Sequence, residues 1–167
     1  IDVAVDPILD HVASLGGEAA ARAARLKGMV AVDNAKLAYA DWQQIVASDR
    51  WARLAEAGAR PQRLLWASTG TKNPDYSPVM YVEPLIGADT VNTMPTATLD
   101  AYREQGQPED RITVGVPEAR ERMVELAELG IDIDAVTARL EDEGVEKFVT
   151  PFESLLATLE EAASKVR

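Results

Sequence analysis

The chain has 167 residues, 47% apolar and 27% charged, and its 28 acidic and 17 basic side chains give a net charge of −11. These values suit one globular domain or a piece of a larger one, and the acidic excess argues against a nucleic-acid partner. The absence of cysteine excludes disulfides, thiolate zinc sites and a cysteine nucleophile, while the single histidine, His11, excludes histidine triads and multi-histidine metal sites.

No apolar run approaches the ~20 residues a membrane span needs, and no secretory signal pattern stands at the start. The expectation is a cytoplasmic protein with no membrane partner. Ile1 is not a translation start, so the chain is expected to be a piece of a longer polypeptide.

Asp6-Pro7 reads as a helix start, with Asp6 as cap and Ile8, Leu9, Val12 and Leu15 at helical spacing up to Gly16-Gly17. A second helix is expected from about Glu18, continuing to about Ala47 with a bend near Gly28. Val32, Ala35, Tyr39, Trp42 and Val46 repeat on one face of it, as core-packing residues do. Trp51 and Leu54 belong to a short helix ending around Gly58.

The period then changes. Arg63 to Ser68 is a short apolar run between Pro61 and a polar loop, which suits a buried strand. A helix is expected from Pro78 through Ile86, then a second strand over Thr90–Met94, then a helix from about Ala97 to Gln105 capped by Thr96. Strand, loop, helix, strand, loop, helix is the pattern of a parallel sheet with helices over it.

The remainder reads as helical. Ala119, Met123, Leu126 and Leu129 form a stripe from Pro117 to Leu129, and Asp132 caps a helix that is expected to end near Gly144. A last helix is expected from about Pro151. The alternating charges Glu118, Arg120, Glu121, Arg122, Glu125 and Glu128 read as a solvated face with pairs along one helix. Glu141, Asp142, Glu143 and Glu146 lack calcium-loop spacing and read as surface. Two parallel strands cannot bury their own faces or close a barrel, so the sequence looks structurally incomplete.

The loop Ser68-Thr69-Gly70-Thr71-Lys72-Asn73 is the strongest site candidate, because ligands of parallel α/β sheets bind at the C-terminal ends of strands. Hydroxyls, a glycine and an ammonium group suit a phosphate. The same composition also suits an ordinary polar turn with a solvated lysine, which is the commoner case.

Trp66 to Ser77, Tyr81 to Gly87 and Thr90 to Pro95 resemble segments of bacterial transaldolases, and Lys27-Gly28 through Tyr39 is similar to the helix preceding this strand in that family. The resemblance runs over essentially the whole chain. It implies the C-terminal portion of an α/β, (β/α)8 TIM barrel, with residues 1–58 as helices before the seventh strand. Residues 63–105 would carry the seventh and eighth strands, and residues 117–167 the C-terminal helices.

It further implies transfer of a dihydroxyacetone unit between sugar phosphates in the pentose phosphate pathway, through a lysine Schiff base and without metal or organic cofactor. In the family, a serine and a cationic residue after the seventh strand bind the substrate phosphate. Ser68 matches the serine, and Lys72-Asn73 matches the place where many relatives have arginine-asparagine, with a longer spacing here. Thr69, Gly70, Thr71 and Asn73 would support them.

The Schiff-base lysine and the proton-transfer carboxylates belong to strands upstream of Ile1, so the chain alone is expected to be inactive. Its implied partners are a sugar phosphate and the rest of the barrel. The alternatives are a non-catalytic helical protein, a barrel fragment that associates with itself, and a binding module for phosphate ligands.

Overall fold

The structure, a computed structural model, describes residues 1–166. The chain divides into two compact units, Asp2–Ile131 and a second running from Asp132 onward that also includes Ile1.

The first unit begins with α1, Asp2–Ser14, and α2, Gly17–Leu26, which pack through Val5, Leu9, Ala23 and Leu26, all fully or almost fully buried. The helix thus starts before the expected Asp6-Pro7 cap, and Pro7 lies inside it. Pro7 removes one bond to the Val3 carbonyl. Val3 and Pro7 are both exposed, so water can serve that carbonyl. Asp6 does not cap because its carboxylate is engaged elsewhere, accepting from the Gly28 amide at 2.9 Å.

The expected bend near Gly28 is a full break between α2 and α3, Val30–Val46. Gly28 has φ of 73°, in the left-handed region, and a Cβ there would lie 2.9 Å from the Tyr76 ring and from Met80 Cε. Only glycine meets both conditions. On α3, Val32 and Tyr39 are buried with Leu85 and Ile112, and Ala35, Trp42, Leu64, Trp66 and Tyr81 pack against them. The expected apolar face of α3 is therefore core. Tyr39 and Trp42 stack with centroids 5.6 Å apart, and the Trp42 indole donates to the Gln62 carbonyl at 2.9 Å.

After α4, Asp49–Glu56, come the strands β1, Leu64–Ala67, and β2, Thr90–Thr93. They pair in parallel, Leu64 with Thr90 through Ala67 with Thr93. Leu64 and Trp66 are half-buried while Leu65 is 53% exposed, so one face of this sheet is covered and the other is open.

The segment between them is not the expected helix over Pro78–Ile86. It is a series of turns ending in a single 3-10 turn at Glu83–Leu85. Bonds from Met80 to Ser77, Val82 to Val79 and Leu85 to Val82 close on the third residue rather than the fourth. Pro84 explains this in part, lacking an amide and disfavouring helix at the residue before it.

Helix α5, Thr96–Gln105, includes Thr96 as its first residue rather than as a cap, and the Pro95 carbonyl receives the Leu99 amide at 3.0 Å. Helix α6, Val116–Glu128, buries Ala119 and Leu126. Its charges pair with other helices rather than along its own face. Arg122 binds Asp33 of α3, Glu125 binds Arg22 and Arg25 of α2 at 2.9 Å, and Glu128 also binds Arg22.

The second unit is one helix, α7, Ile133–Val166. Asp132 caps it as expected, accepting from the amides of Asp134 and Ala135 at 3.0 and 3.3 Å. The expected interruptions at Gly144 and Pro151 do not occur; both lie inside the helix. An internal glycine costs only about 1 kcal/mol relative to alanine, and internal pairs such as Arg139–Glu143 and Lys147–Glu143 span the region. Among the described residues no helix is long and apolar enough to cross a membrane.

Candidate functional site

The polar loop leaves the C-terminal end of β1, the edge at which parallel sheets present ligands. Ser68 follows the last strand residue, is exposed, and has φ of 56°. A serine in the left-handed region is uncommon and stores backbone strain. Thr69 turns inward, is buried, and donates its hydroxyl to Asn92 Oδ1 of β2 at 2.8 Å. Gly70 passes close to the start of α5, where an added Cβ would meet Pro95 Cγ at 3.0 Å and Thr98 Oγ1 at 3.3 Å.

Thr71 donates its hydroxyl to the Ser77 carbonyl at 2.9 Å, and Asn73 Oδ1 accepts the Asp75 amide at 3.0 Å. Lys72 between them is exposed and makes no ion pair among the described residues. The five polar side chains among the six expected residues therefore separate into two groups. Thr69, Thr71 and Asn73 commit side-chain atoms to the loop's own folding, whereas Ser68 and Lys72 project into solvent.

Four residues that the sequence analysis did not place in the site link α1 to the segment that follows this loop. Tyr76 donates its hydroxyl to Asp6 Oδ2 and Tyr81 donates to Asp2 Oδ2, each at 2.7 Å. The opposite oxygens take the amides of Gly28 at 2.9 Å and Ala31 at 2.7 Å. Burial pushes the Asp2 carboxyl above the usual carboxylate range. Burial, then the hydrogen bonds to Asp6 and Asp2, raise Tyr76 and Tyr81 well above an ordinary tyrosine. The signal in the sequence was that Asp2 and Asp6 share the helical stripe of Val5 and Leu9.

The other lysines of interest are placed away from strand ends. Lys27 binds both oxygens of Asp10 at 2.6 and 2.8 Å. Lys36 is buried on α3, donating to the Val114 carbonyl at 2.5 Å, and burial lowers its pKa. No buried side-chain nitrogen or oxygen among the described residues lacks a partner, and none of their His, Asp and Glu side chains forms a group of three able to hold a metal.

The sequence profile of the Transaldolase/Fructose-6-phosphate aldolase family matches residues 5–159. The chain belongs to this family. A transaldolase from Thiobacillus denitrificans is 47% identical over 159 residues, covering 95% of this chain and 43% of that protein. Transaldolase 2 from Nostoc is 46% identical over 165 residues, covering 96% of this chain and 43% of its own length. A transaldolase from Trichodesmium erythraeum is 47% identical over 143 residues, 84% of this chain and 38% of that protein.

The chain thus spans less than half the length of these curated relatives. Its helix-dominated structure with two parallel strands is consistent with part of the transaldolase-family α/β fold.

Proposed function

We propose that this chain is the C-terminal part of a transaldolase and supplies the phosphate end of its substrate pocket. In this reading β1 and β2 are the seventh and eighth strands of a (β/α)8 barrel. The donor is a ketose phosphate such as fructose 6-phosphate or sedoheptulose 7-phosphate, and the acceptor is an aldose phosphate. The Ser68 hydroxyl and the Lys72 ammonium group hold the substrate phosphate, lysine acting as a point charge where arginine would offer a fork. Thr69, Gly70, Thr71 and Asn73 shape the loop that presents them.

Family membership supports this assignment, and one structural observation carries it. Within a loop whose other polar side chains are internally bonded, Ser68 and Lys72 alone among the six expected residues are left open, at the C-terminal end of a parallel strand. The covalent step belongs to a lysine on another strand of the barrel, which condenses with the ketose carbonyl as a Schiff base. Lys27 follows the end of α2 and Lys36 lies on α3, so neither stands on a strand and neither takes that role. No metal or organic cofactor takes part, and the enzyme works in the cytoplasm, in the pentose phosphate pathway.

Borohydride trapping tests the assignment. The full-length protein incubated with fructose 6-phosphate is expected to give a covalent adduct, and residues 1–167 alone are expected to give none. Absence of an adduct on the full-length protein would sink the assigned activity.

The open face of the two-stranded sheet favours a second reading for the chain in isolation, self-association through its uncovered strands. Light scattering on residues 1–167 decides this, because a stable monomer contradicts it.

A further inference from the structure

We infer that Asp6 and Tyr76, assisted by Asp2 and Tyr81, are positioning residues that preset the loop carrying Lys72 and thereby set affinity for a phosphate group. The inference rests on the reading of Ser68 and Lys72 given above, and it names residues outside the six-residue loop itself.

The loop is pinned at both ends. At its near end, the buried Thr69 hydroxyl is bonded to Asn92 on β2. At its far end, Thr71 reaches across to the Ser77 carbonyl, next to Tyr76, whose hydroxyl is held by Asp6. Lys72 follows Thr71, within the turn that the bond from Thr71 to Ser77 closes. The Tyr76 amide also bonds back to the Asn73 carbonyl at 3.2 Å. Five residues further on, Tyr81 repeats the contact on Asp2, one helical turn before Asp6 on α1.

Gly28 completes the arrangement. Its amide holds the other oxygen of Asp6, and its missing side chain leaves the space that the Tyr76 ring fills. A buried carboxylate with one oxygen on a helix break and the other on a loop tyrosine fixes the distance between them. Ordering a residue's backbone costs conformational entropy. A loop already ordered before the ligand arrives does not lose that entropy on binding.

The test uses the full-length enzyme with the variants Tyr76→Phe and Asp6→Asn, and with Arg103→Ala on exposed α5 as control. Loop order is read by hydrogen exchange at the amides of Tyr76, Met80 and Val82. Ligand affinity is read from the KM for fructose 6-phosphate and from competitive inhibition by inorganic phosphate. In folded Tyr76→Phe these amides are expected to exchange about tenfold faster while those of α5 do not. KM and the phosphate inhibition constant are expected to rise about three- to tenfold with kcat within about twofold.

Asp6→Asn, which keeps the shape and one acceptor, is expected to give a smaller shift of the same kind. Unchanged loop exchange in both folded variants overturns the inference. So does a fall in kcat at constant KM, which is what loss of folded enzyme alone would produce. If the wild type forms no Schiff-base adduct, the transaldolase reading fails, and the exchange measurement still decides whether Asp6 and Tyr76 hold the loop.

Discussion

Asp33 on α3 gives both carboxylate oxygens to one guanidinium, that of Arg122 on α6, with Nε and Nη2 each at 2.6 Å. Asp33 is 1% exposed and Arg122 27%. The hydrogen bonds to Asp33 raise the Arg122 pKa further, so the guanidinium is charged at any working pH. This fork joins the helix that packs on the sheet to the helix that carries Ala119 and Leu126. Arg122→Met leaves a buried carboxylate without its partner and is expected to destabilise by about 3 kcal/mol or more. Urea unfolding checks it, and a loss under about 1 kcal/mol would contradict the buried pairing.

The tyrosine anchors predict a loss of stability in alkali. An unfolded tyrosine ionises near 10.0, while folded Tyr76 and Tyr81 hold their protons to higher pH. Above that value the native state binds more protons than the unfolded state, so stability falls as pH rises through the interval. Urea midpoints at about pH 8 and about pH 10.5 should therefore diverge more for the wild type than for the Tyr76→Phe, Tyr81→Phe double variant. Equal pH slopes in the two proteins would contradict the assignment.

Ser68 separates backbone strain from ligand binding. Its φ of 56° suits glycine better than serine. Ser68→Gly is expected to leave folding unchanged or stabilise it by up to about 1 kcal/mol, while weakening sugar-phosphate binding about fivefold through loss of the hydroxyl. Lys72→Met removes the ammonium proposed to hold the phosphate and is expected to weaken binding about tenfold or more, at little cost to stability because the residue is exposed. Calorimetric titration of the full-length enzyme with inorganic phosphate, alongside thermal melting, reads both effects.

Pro151 tests the continuity of α7. Inside a helix, proline removes one backbone bond and crowds the carbonyl four residues earlier, a penalty of about 3 kcal/mol. Pro151→Ala is expected to raise helix content and the melting temperature. A variant with neither change would indicate two helices meeting at this residue, as the sequence alone suggests.

The strands, most helices and the polar loop were legible because they are written in local pattern. Leu64, Trp66, Val32, Tyr39, Ala119 and Leu126 fall at the spacing their elements require, and matching segments around Trp66 to Pro95 carried the family. Pro7 and Pro151 misled because proline's effect depends on surroundings. Pro7 sits where its freed carbonyl is exposed, and Pro151 is carried within a long helix.

The sequence by itself determined the family, the two strands and most of the helices, and Ser68 and Lys72 as candidates. Only the tertiary structure decided which loop side chains are internally bonded, that the charges of α6 pair between helices, and that Asp2 and Asp6 are buried partners of Tyr81 and Tyr76. Periodicity shows which face of an element is apolar, but a hydrogen bond between residues 70 positions apart, as between Asp6 and Tyr76, exists only once the helices have packed.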